Sequence, residues 1–169
     1  MFLLQDLPDQ ETLDNAEQMY GPVNQDGVLL FLKTLKTGSD LLNNLDQFLA
    51  TYGLKHGRWI TLVLLIREPM RTTTPSELSK KQGVTRATMT NLLNSLENDS
   101  YIKRVEHPVD SRATQITLTR KGVQLLNKIM PQYYELINKI TKEISERQLK
   151  ATAKLLEQLS QKTEEYLSH

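Results

Sequence analysis

The chain has 169 residues, no cysteine and a formal net charge of +1. This length suits one compact domain, with room for an added arm or a shared dimer core. The absence of Cys excludes disulfides, thiolate zinc sites and thiol-based redox switches. The longest apolar run, Trp59–Ile66, is far shorter than the roughly 18 residues that predict a membrane span. The N-terminus also lacks a basic leader, so we expect no membrane partner and a cytoplasmic protein.

The first 26 residues form an acidic arm. They contain six Asp and Glu residues and no Lys or Arg. A short helix is predicted near Glu11–Met19, ended by Gly21 and Pro22, because Gly and Pro commonly follow a helix terminus. We therefore separate residues 1–26 from the rest of the chain.

Two helices are predicted next. The first extends from Val28 to about Tyr52, where apolar residues recur in steps of three and four, and Gly53 is a suitable stop. The second extends from Arg58 to about Arg67 and ends before Pro69. Its predicted buried residues are Trp59, Leu62, Val63 and Ile66.

The segment 74–98 has the pattern of a helix-turn-helix. Thr74 is a well-placed N-cap, Pro75 suits the first helical position, and Glu77 completes a capping box. That short helix ends near Gly83, and Thr85 caps the next one. Two short helices joined by a turn that contains Gly are typical of this motif.

The second of these helices has an unusual exposed face. Its apolar side is Met89, Leu92, Leu93 and Leu96, whereas the other side has short uncharged residues that are mediocre helix formers. A helix that reads base edges in a major groove needs polar side chains that are held rigidly. Arg pairs with guanine, Asn pairs with adenine, and the methyl groups of Thr or Ala contact the thymine methyl. A capped surface helix of odd composition is the alternative. The candidate DNA-binding residues of this helix are Thr85, Arg86, Ala87, Thr88, Thr90, Asn91 and Asn94.

A β-hairpin is predicted after this helix. Tyr101–Glu106 and Thr114–Leu118 are rich in β-formers and flank the loop His107–Ala113. A hairpin in this position is the wing of a winged helix. Arg112 at its tip suits a narrow minor groove, while Asp110 is assigned a structural role, pairing with an Arg to organise the loop. A solvated turn in which both residues are incidental is the alternative.

The C-terminal part predicts two long helices with apolar stripes. One begins near Thr119 and should be kinked by Pro131; the other begins after Ser145, with Gln148 as its capping-box partner. Such stripes favour an intertwined homodimer over a monomeric bundle, because few long helices would leave the stripes exposed. The fold class is mainly α with a small β-wing: a winged helix-turn-helix DNA-binding domain at 54–119, flanked by helical dimerisation regions at 27–53 and 120–169.

The sequence resembles the MarR family of bacterial winged-helix transcription regulators. The most distinctive match is Asp110-x-Arg112 followed by ITLTRKG at Ile116–Gly122. The resemblance implies a homodimer that binds double-stranded DNA at a pseudo-palindromic operator, usually as a repressor. It makes 85–98 the recognition helix, and it implies a small aromatic or phenolic effector, unidentified, between the dimer helices and the winged domain. Many members have Gly after the recognition helix; here Asn98-Asp99-Ser100 occupies that turn, where Asn or Asp tolerates a left-handed conformation.

Two other classes of protein are the alternatives. An enzyme is disfavoured because the sequence has no Gly-rich phosphate loop and no zinc-protease or nucleophile-elbow motif. His56, His107 and His169 are far apart in sequence, so we expect no catalytic residues, metal site or cofactor. A helical protein–protein adaptor that uses a winged-helix scaffold without binding DNA is the other alternative.

Overall fold

The computed structural model describes residues 6–106 and 114–167. These residues form two packing units, divided between Val123 and Gln124. This division does not test the predicted functional boundaries, which stay predictions. The helices of the described residues are α1 (Gln10–Tyr20), α2 (Gln25–Ala50), α3 (His56–Arg67), α4 (Pro75–Gln82), α5 (Arg86–Asn98), α6 (Arg120–Thr141) and α7 (Glu146–Leu167). The strands are β1 (Thr72–Thr73), β2 (Ile102–Glu106) and β3 (Thr114–Leu118).

The wing belongs to a three-stranded antiparallel sheet in the order β1-β3-β2. The two predicted strands pair with Arg104 opposite Ile116. The first strand, β1, was not predicted: it pairs Thr72 with Thr117, and their hydroxyls lie 2.9 Å apart. A strand of two residues is too short to show alternation in the sequence, and its partner lies 45 positions away.

A common core lies beneath the helix-turn-helix and the sheet. Its apolar side chains are almost fully buried and come from α3, α4, α5 and the strands, chiefly Trp59, Leu62, Leu65, Leu78, Met89, Leu93, Leu96, Ile102 and Ile116. The predicted buried face of α3 is partly wrong. Val63 and Ile66 are half-buried, while Thr61 and Leu65 are buried. Helix α3 is apolar almost all round, so its sequence alone does not specify one buried face.

Local side-chain hydrogen bonds fix the turn between α4 and α5. Gly83 ends α4 with a left-handed φ of 67°, which glycine adopts without steric cost. The Ser79 hydroxyl donates to the Val84 carbonyl at 2.7 Å. The caps are as predicted: the Thr74 hydroxyl accepts from the Glu77 N–H, and the Thr85 hydroxyl accepts from the Thr88 N–H. These contacts set the direction in which α5 leaves the turn.

The chain after α5 is tied back to the start of α6. Ser100, rather than Asn98 or Asp99, takes the left-handed conformation with φ of 61°. The Thr119 hydroxyl lies 3.0 Å from the Tyr101 carbonyl and accepts the Gly122 N–H at 3.1 Å. A Cβ on Gly122 would lie 2.3 Å from that same Tyr101 oxygen. Glycine is therefore required in the ITLTRKG segment because α6 begins against this carbonyl.

The acidic arm contains the predicted helix, α1. The Asp9 carboxylate caps it, accepting from the Thr12 hydroxyl at 2.7 Å and the Thr12 N–H at 2.9 Å. These bonds, that of the hydroxyl first, hold the pKa of Asp9 below its ordinary value. Gln25 at the start of α2 donates to both Asp14 and Glu17. The arm is therefore hydrogen-bonded to the first turn of α2.

The second unit contains most of α6 and all of α7. Helix α6 continues across Pro131. Helix α7 begins with the full predicted capping box, in which the Gln148 backbone N–H donates to the Ser145 hydroxyl and the Ser145 backbone N–H donates to Gln148 Oε1. None of the 22 residues of α7, all of which the structure describes, is buried. The exposed apolar side chains of this unit, here called the C-terminal stripe, include Ile137, Ile140, Ile144, Leu149, Leu155 and Leu156.

Candidate nucleic-acid interface

The structure places all seven predicted recognition residues on the surface of α5 or at its N-cap. Thr85 is the cap, and the other six lie within the first nine residues of the helix, where every one of them is exposed. Met89, Leu93 and Leu96 on the other side are buried, and Leu92 is half-buried. Because core packing stabilises α5 from its buried side, the helix tolerates poor helix formers on its exposed side.

The exposed side chains differ in the hydrogen bonds they make within the protein. The hydroxyls of Thr85 and Thr88 lie 2.9 Å apart, and the Thr90 hydroxyl donates to the Arg86 carbonyl at 2.9 Å. Within the described part of the chain, the side chains of Arg86 and Asn91 make no hydrogen bond. These two groups therefore keep their full hydrogen-bonding capacity for a ligand.

Asn94 is held from strand β2. The Arg104 guanidinium donates to Asn94 Oδ1 at 2.7 Å and forms an ion pair with the Glu97 carboxylate. Arg104 N–H also donates to Glu97 Oε1 at 3.3 Å. Sequence analysis missed Arg104, because its partner in α5 lies ten positions away and no local spacing indicates the contact.

A second polar cluster holds the C-terminal end of α5. Arg58 from α3 forms an ion pair with Asp99, and the Lys121 ammonium donates to the Asp99 carbonyl at 2.8 Å. The Tyr101 ring is close to both cations, with its centroid 5.0 Å from Lys121 Nζ and 5.9 Å from Arg58 Cζ. Both cations thus anchor the helix end. In the sequence, Lys121 belongs to the ITLTRKG segment that carries the family resemblance, and no local pattern showed that it acts inside the fold.

The two predicted wing residues, Asp110 and Arg112, lie outside the described residues. Their roles stay predictions. The described parts of the hairpin on either side pair in register up to Glu106 and Thr114.

An open cleft of about 910 Å³ adjoins α5. One wall is the end of α2 and the start of α3, and the other is the α5 face with Thr88, Asn91 and Leu92. The cations that line it are Lys55 and Arg58, and Asp46 accepts the backbone N–H of His56 at 2.5 Å. Arg58 Nε is buried and has no hydrogen-bond partner among the described residues. The cleft thus combines apolar walls with a charged rim beside the predicted recognition face.

The residues that the structure describes contain neither a cluster of metal ligands nor a helix suited to a membrane. No group of three or more His, Asp or Glu side chains among them is arranged to hold a metal ion. None of their helices combines the length and the apolar character needed to cross a lipid bilayer.

Comparison with known proteins adds an independent observation. The family model described as the MarR family matches residues 52–113, from the end of α2 through the predicted wing loop. The chain is 31% identical over 111 residues to the HTH-type transcriptional regulator BilQ of Clostridioides difficile, covering 66% of this chain and 74% of BilQ. It is 27% identical over 153 residues to the HTH-type transcriptional repressor YetL of Bacillus subtilis, covering 90% of this chain and 92% of YetL.

A solved structure shares the fold. A MarR family transcriptional regulator from Streptomyces coelicolor, crystallised in complex with DNA, superposes with a TM-score of 0.76 at 21% identity. The match covers 82% of this chain and 88% of that one. The predicted winged helix-turn-helix fold is confirmed.

Proposed function

We propose that the chain, which belongs to the MarR family of transcriptional regulators, is a repressor that binds a pseudo-palindromic DNA operator as a homodimer. Members of this family bind DNA and regulate transcription, so the chain is a DNA-binding transcription regulator and not an enzyme. The observation that carries the finer proposal is the exposed face of α5 and its N-cap, with six polar or cationic residues and Ala87 on a helix packed firmly from behind.

The geometry of α5 supports insertion into a major groove. Arg86 at its first turn and Asn91 one and a half turns later carry uncommitted donors and acceptors, matched to guanine and adenine edges respectively. Thr85 and Thr88 lie at the N-terminus, where free amides and the helix dipole favour a backbone phosphate. In this proposal Arg112 of the wing enters the adjacent minor groove.

The exposed apolar surface supports the proposed dimer. The C-terminal stripe and a second set of exposed apolar residues on α2, including Phe31, Leu35 and Leu42, would be costly to leave in water. A two-fold axis would present the two α5 helices about 34 Å apart, one turn of DNA. A pseudo-palindromic operator follows from that symmetry.

The cleft beside α5 is the proposed effector site. An aromatic or phenolic molecule would contact Leu92 on its apolar wall and the cationic rim at its mouth. Because Thr88 and Asn91 contribute to both the cleft and the recognition face, an occupant would bias the protein toward a state with weaker operator binding. Phenol is a simple first probe. Leu92→Trp, which narrows the cleft, should abolish any effect of phenol on operator binding.

The decisive experiment selects bound duplexes from a random library with the purified chain, then measures Kd for the selected site. Arg86→Ala, Asn91→Ala and Arg112→Ala should each weaken binding by about 1–3 kcal/mol. Arg147→Ala and Asn44→Ala, which remove the same groups from other exposed helical positions, are the matched controls. Wild-type affinity in all three test variants would contradict the proposed interface.

Salt dependence separates this function from the adaptor alternative. Neutralised phosphates release counterions, so log K should fall with log salt at a slope of about −0.9 per phosphate contacted. An apolar protein–protein interface would respond little to salt. A flat salt profile would favour the adaptor.

A further inference from the structure

Arg104 and Asn94 form a hydrogen-bonded pair on the predicted DNA-binding surface. Arg104 lies on β2 and Asn94 on the third turn of α5, and the guanidinium donates to Asn94 Oδ1 at 2.7 Å. Glu97 accepts from both the side chain and the N–H of Arg104. The guanidinium thus makes one bond to the Glu97 carboxylate and one to Asn94, while the backbone N–H of Arg104 bonds the same carboxylate, so the guanidinium is oriented before any ligand arrives.

This pair determines which way the Asn94 amide points. Arg offers donors alone, so the amide oxygen must face Arg104 and the NH₂ group must face outward. Asn recognises adenine by using both ends of the amide, donating to N7 and accepting from N6. With its oxygen engaged, Asn94 presents two N–H donors and no equivalent acceptor.

The other amide of the helix is not constrained in this way. Asn91 makes no side-chain hydrogen bond within the described part of the chain, so both ends of its amide are available. Two asparagines three positions apart on one helix therefore differ in what they can bind, although the sequence presents them as equivalent.

We propose that Arg104 is a specificity-determining positioning residue that makes Asn94 a donor-only contact for DNA bases. At the base pair Asn94 meets, guanine O6 and N7 or thymine O4 accept its protons. Adenine offers a single acceptor, N7, beside an amino donor, and cytosine offers an amino donor alone, so both are disfavoured. Adenine recognition on this helix then belongs to Asn91. The inference rests on the proposed function, since it requires α5 to contact base edges.

The test compares base preferences of the wild-type chain and Arg104→Thr in the same random-duplex selection. Thr is a good strand former and its side chain is too short to reach Asn94. Wild type should disfavour adenine about tenfold at one position of each half-site, and Arg104→Thr should reduce that preference to below about threefold. Asn94→Ala should lose the preference, and adding Arg104→Thr to Asn94→Ala should change it no further.

Lys103→Thr is the matched control. It removes an exposed cation from the neighbouring position, whose side chain points to the opposite face of β2. A residue that acts as a simple cation weakens binding to all sequences alike and reduces the salt slope by about one phosphate contact, with base preferences unchanged. If Arg104→Thr behaves in that way, the proposal is overturned.

Arg104→Lys guards against misfolding, because it keeps the charge but lacks the planar fork. Because the lysine ammonium also offers donors alone, the proposal predicts that base preference follows the Asn94 contact: if the Asn94 NH₂ signals of this variant keep their wild-type positions, the preference against adenine is kept, and if they shift, it falls by about threefold or more. Any other combination would contradict the proposal. Side-chain amide NMR signals of the free protein give a second readout. Arg104→Thr should shift the Asn94 NH₂ signals and leave those of Asn91 in place.

The two proposals fail differently. A wild-type chain that selects no duplex overturns both the proposed function and this inference. A defined operator whose base preferences are the same for wild type and Arg104→Thr overturns the inference alone.

Discussion

Helices α5 and α7 have the same kind of apolar periodicity but opposite surroundings. In α5, Leu93 is 1% exposed, whereas in α7, Leu156 is 44% exposed. The polar faces differ as well. That of α5 has Thr and Asn, while that of α7 has charged pairs such as Glu146 with Lys150 and Lys162 with Glu165.

The difference shows where each helix gets its stability. A helix packed against a core tolerates poor helix formers on its exposed face, so that face can be devoted to a ligand. A helix without a core beneath it depends on good helix formers, charged pairs and a full capping box, and its apolar stripe requires a partner. Periodicity alone thus indicates that a stripe exists and not what covers it.

The largest expected effect comes from placing a charge in the C-terminal stripe. Burial of one Leu contributes about 1.5–3 kcal/mol, and a two-fold dimer contains the site twice, so Leu156→Glu should weaken the proposed dimer by about 3–6 kcal/mol. Analytical ultracentrifugation measures this change. Gln161→Glu, exposed on the other side of α7, is the control and should leave the mass unchanged. A Leu156→Glu variant that remains dimeric would show that the dimer interface does not bury the C-terminal stripe at Leu156.

Truncation of a core side chain in α5 tests whether α5 is stabilised within its own chain and α7 through the proposed dimer. Leu93→Ala removes a fully buried side chain and should lower the free energy of unfolding by about 2–5 kcal/mol. That loss should be the same at every protein concentration. Leu156→Ala should instead act through the dimer, with an effect that depends on concentration. Urea denaturation at two concentrations separates the two; identical behaviour of both variants would contradict the comparison.

Helix caps should matter similarly in both helices, because capping is local. Thr85→Ala removes the acceptor of the Thr88 N–H, and Ser145→Ala removes that of the Gln148 N–H. Each should cost about 1 kcal/mol of unfolding free energy. Thermal unfolding of the free protein measures both changes, with Thr163→Ala, far from the N-cap of α7, as the control. No loss in Thr85→Ala would mean that packing alone fixes the start of α5.

The smallest expected effect is a gain in stability at the end of α5. Ser100 adopts φ of 61°, which costs a residue other than glycine about 1–2 kcal/mol, while glycine adds about 0.5–1 kcal/mol of chain entropy to the unfolded state. Ser100→Gly should therefore stabilise the fold by about 0.5–1 kcal/mol. Denaturant titration checks the sign. A loss of stability would show that the Ser100 side chain contributes more than its backbone strain costs.

The sequence predicted most of the helices and both strands of the wing hairpin because their signals are local. Thr74, Thr85 and Ser145 are caps whose partners lie three positions away, and Gly83 ends a helix by its own conformational freedom. The identity of the exposed residues on α5 also followed from the sequence, since a helix that buries Met89 and Leu93 must expose Thr90 and Asn91. Whether those exposed residues contact DNA stays a prediction.

By itself, then, the sequence determined the helices, the wing hairpin and the polar ridge of α5, because caps, turns and periodicity act within one or two helical turns. Tertiary structure alone decided that β1 joins the sheet, that Gly122 lies against the Tyr101 carbonyl, and that Arg104 holds Asn94. Those contacts join different elements, and the distance between two elements is set by how the core packs. No local pattern could therefore show that two similar asparagines of one helix differ in the hydrogen bonds they have left to offer.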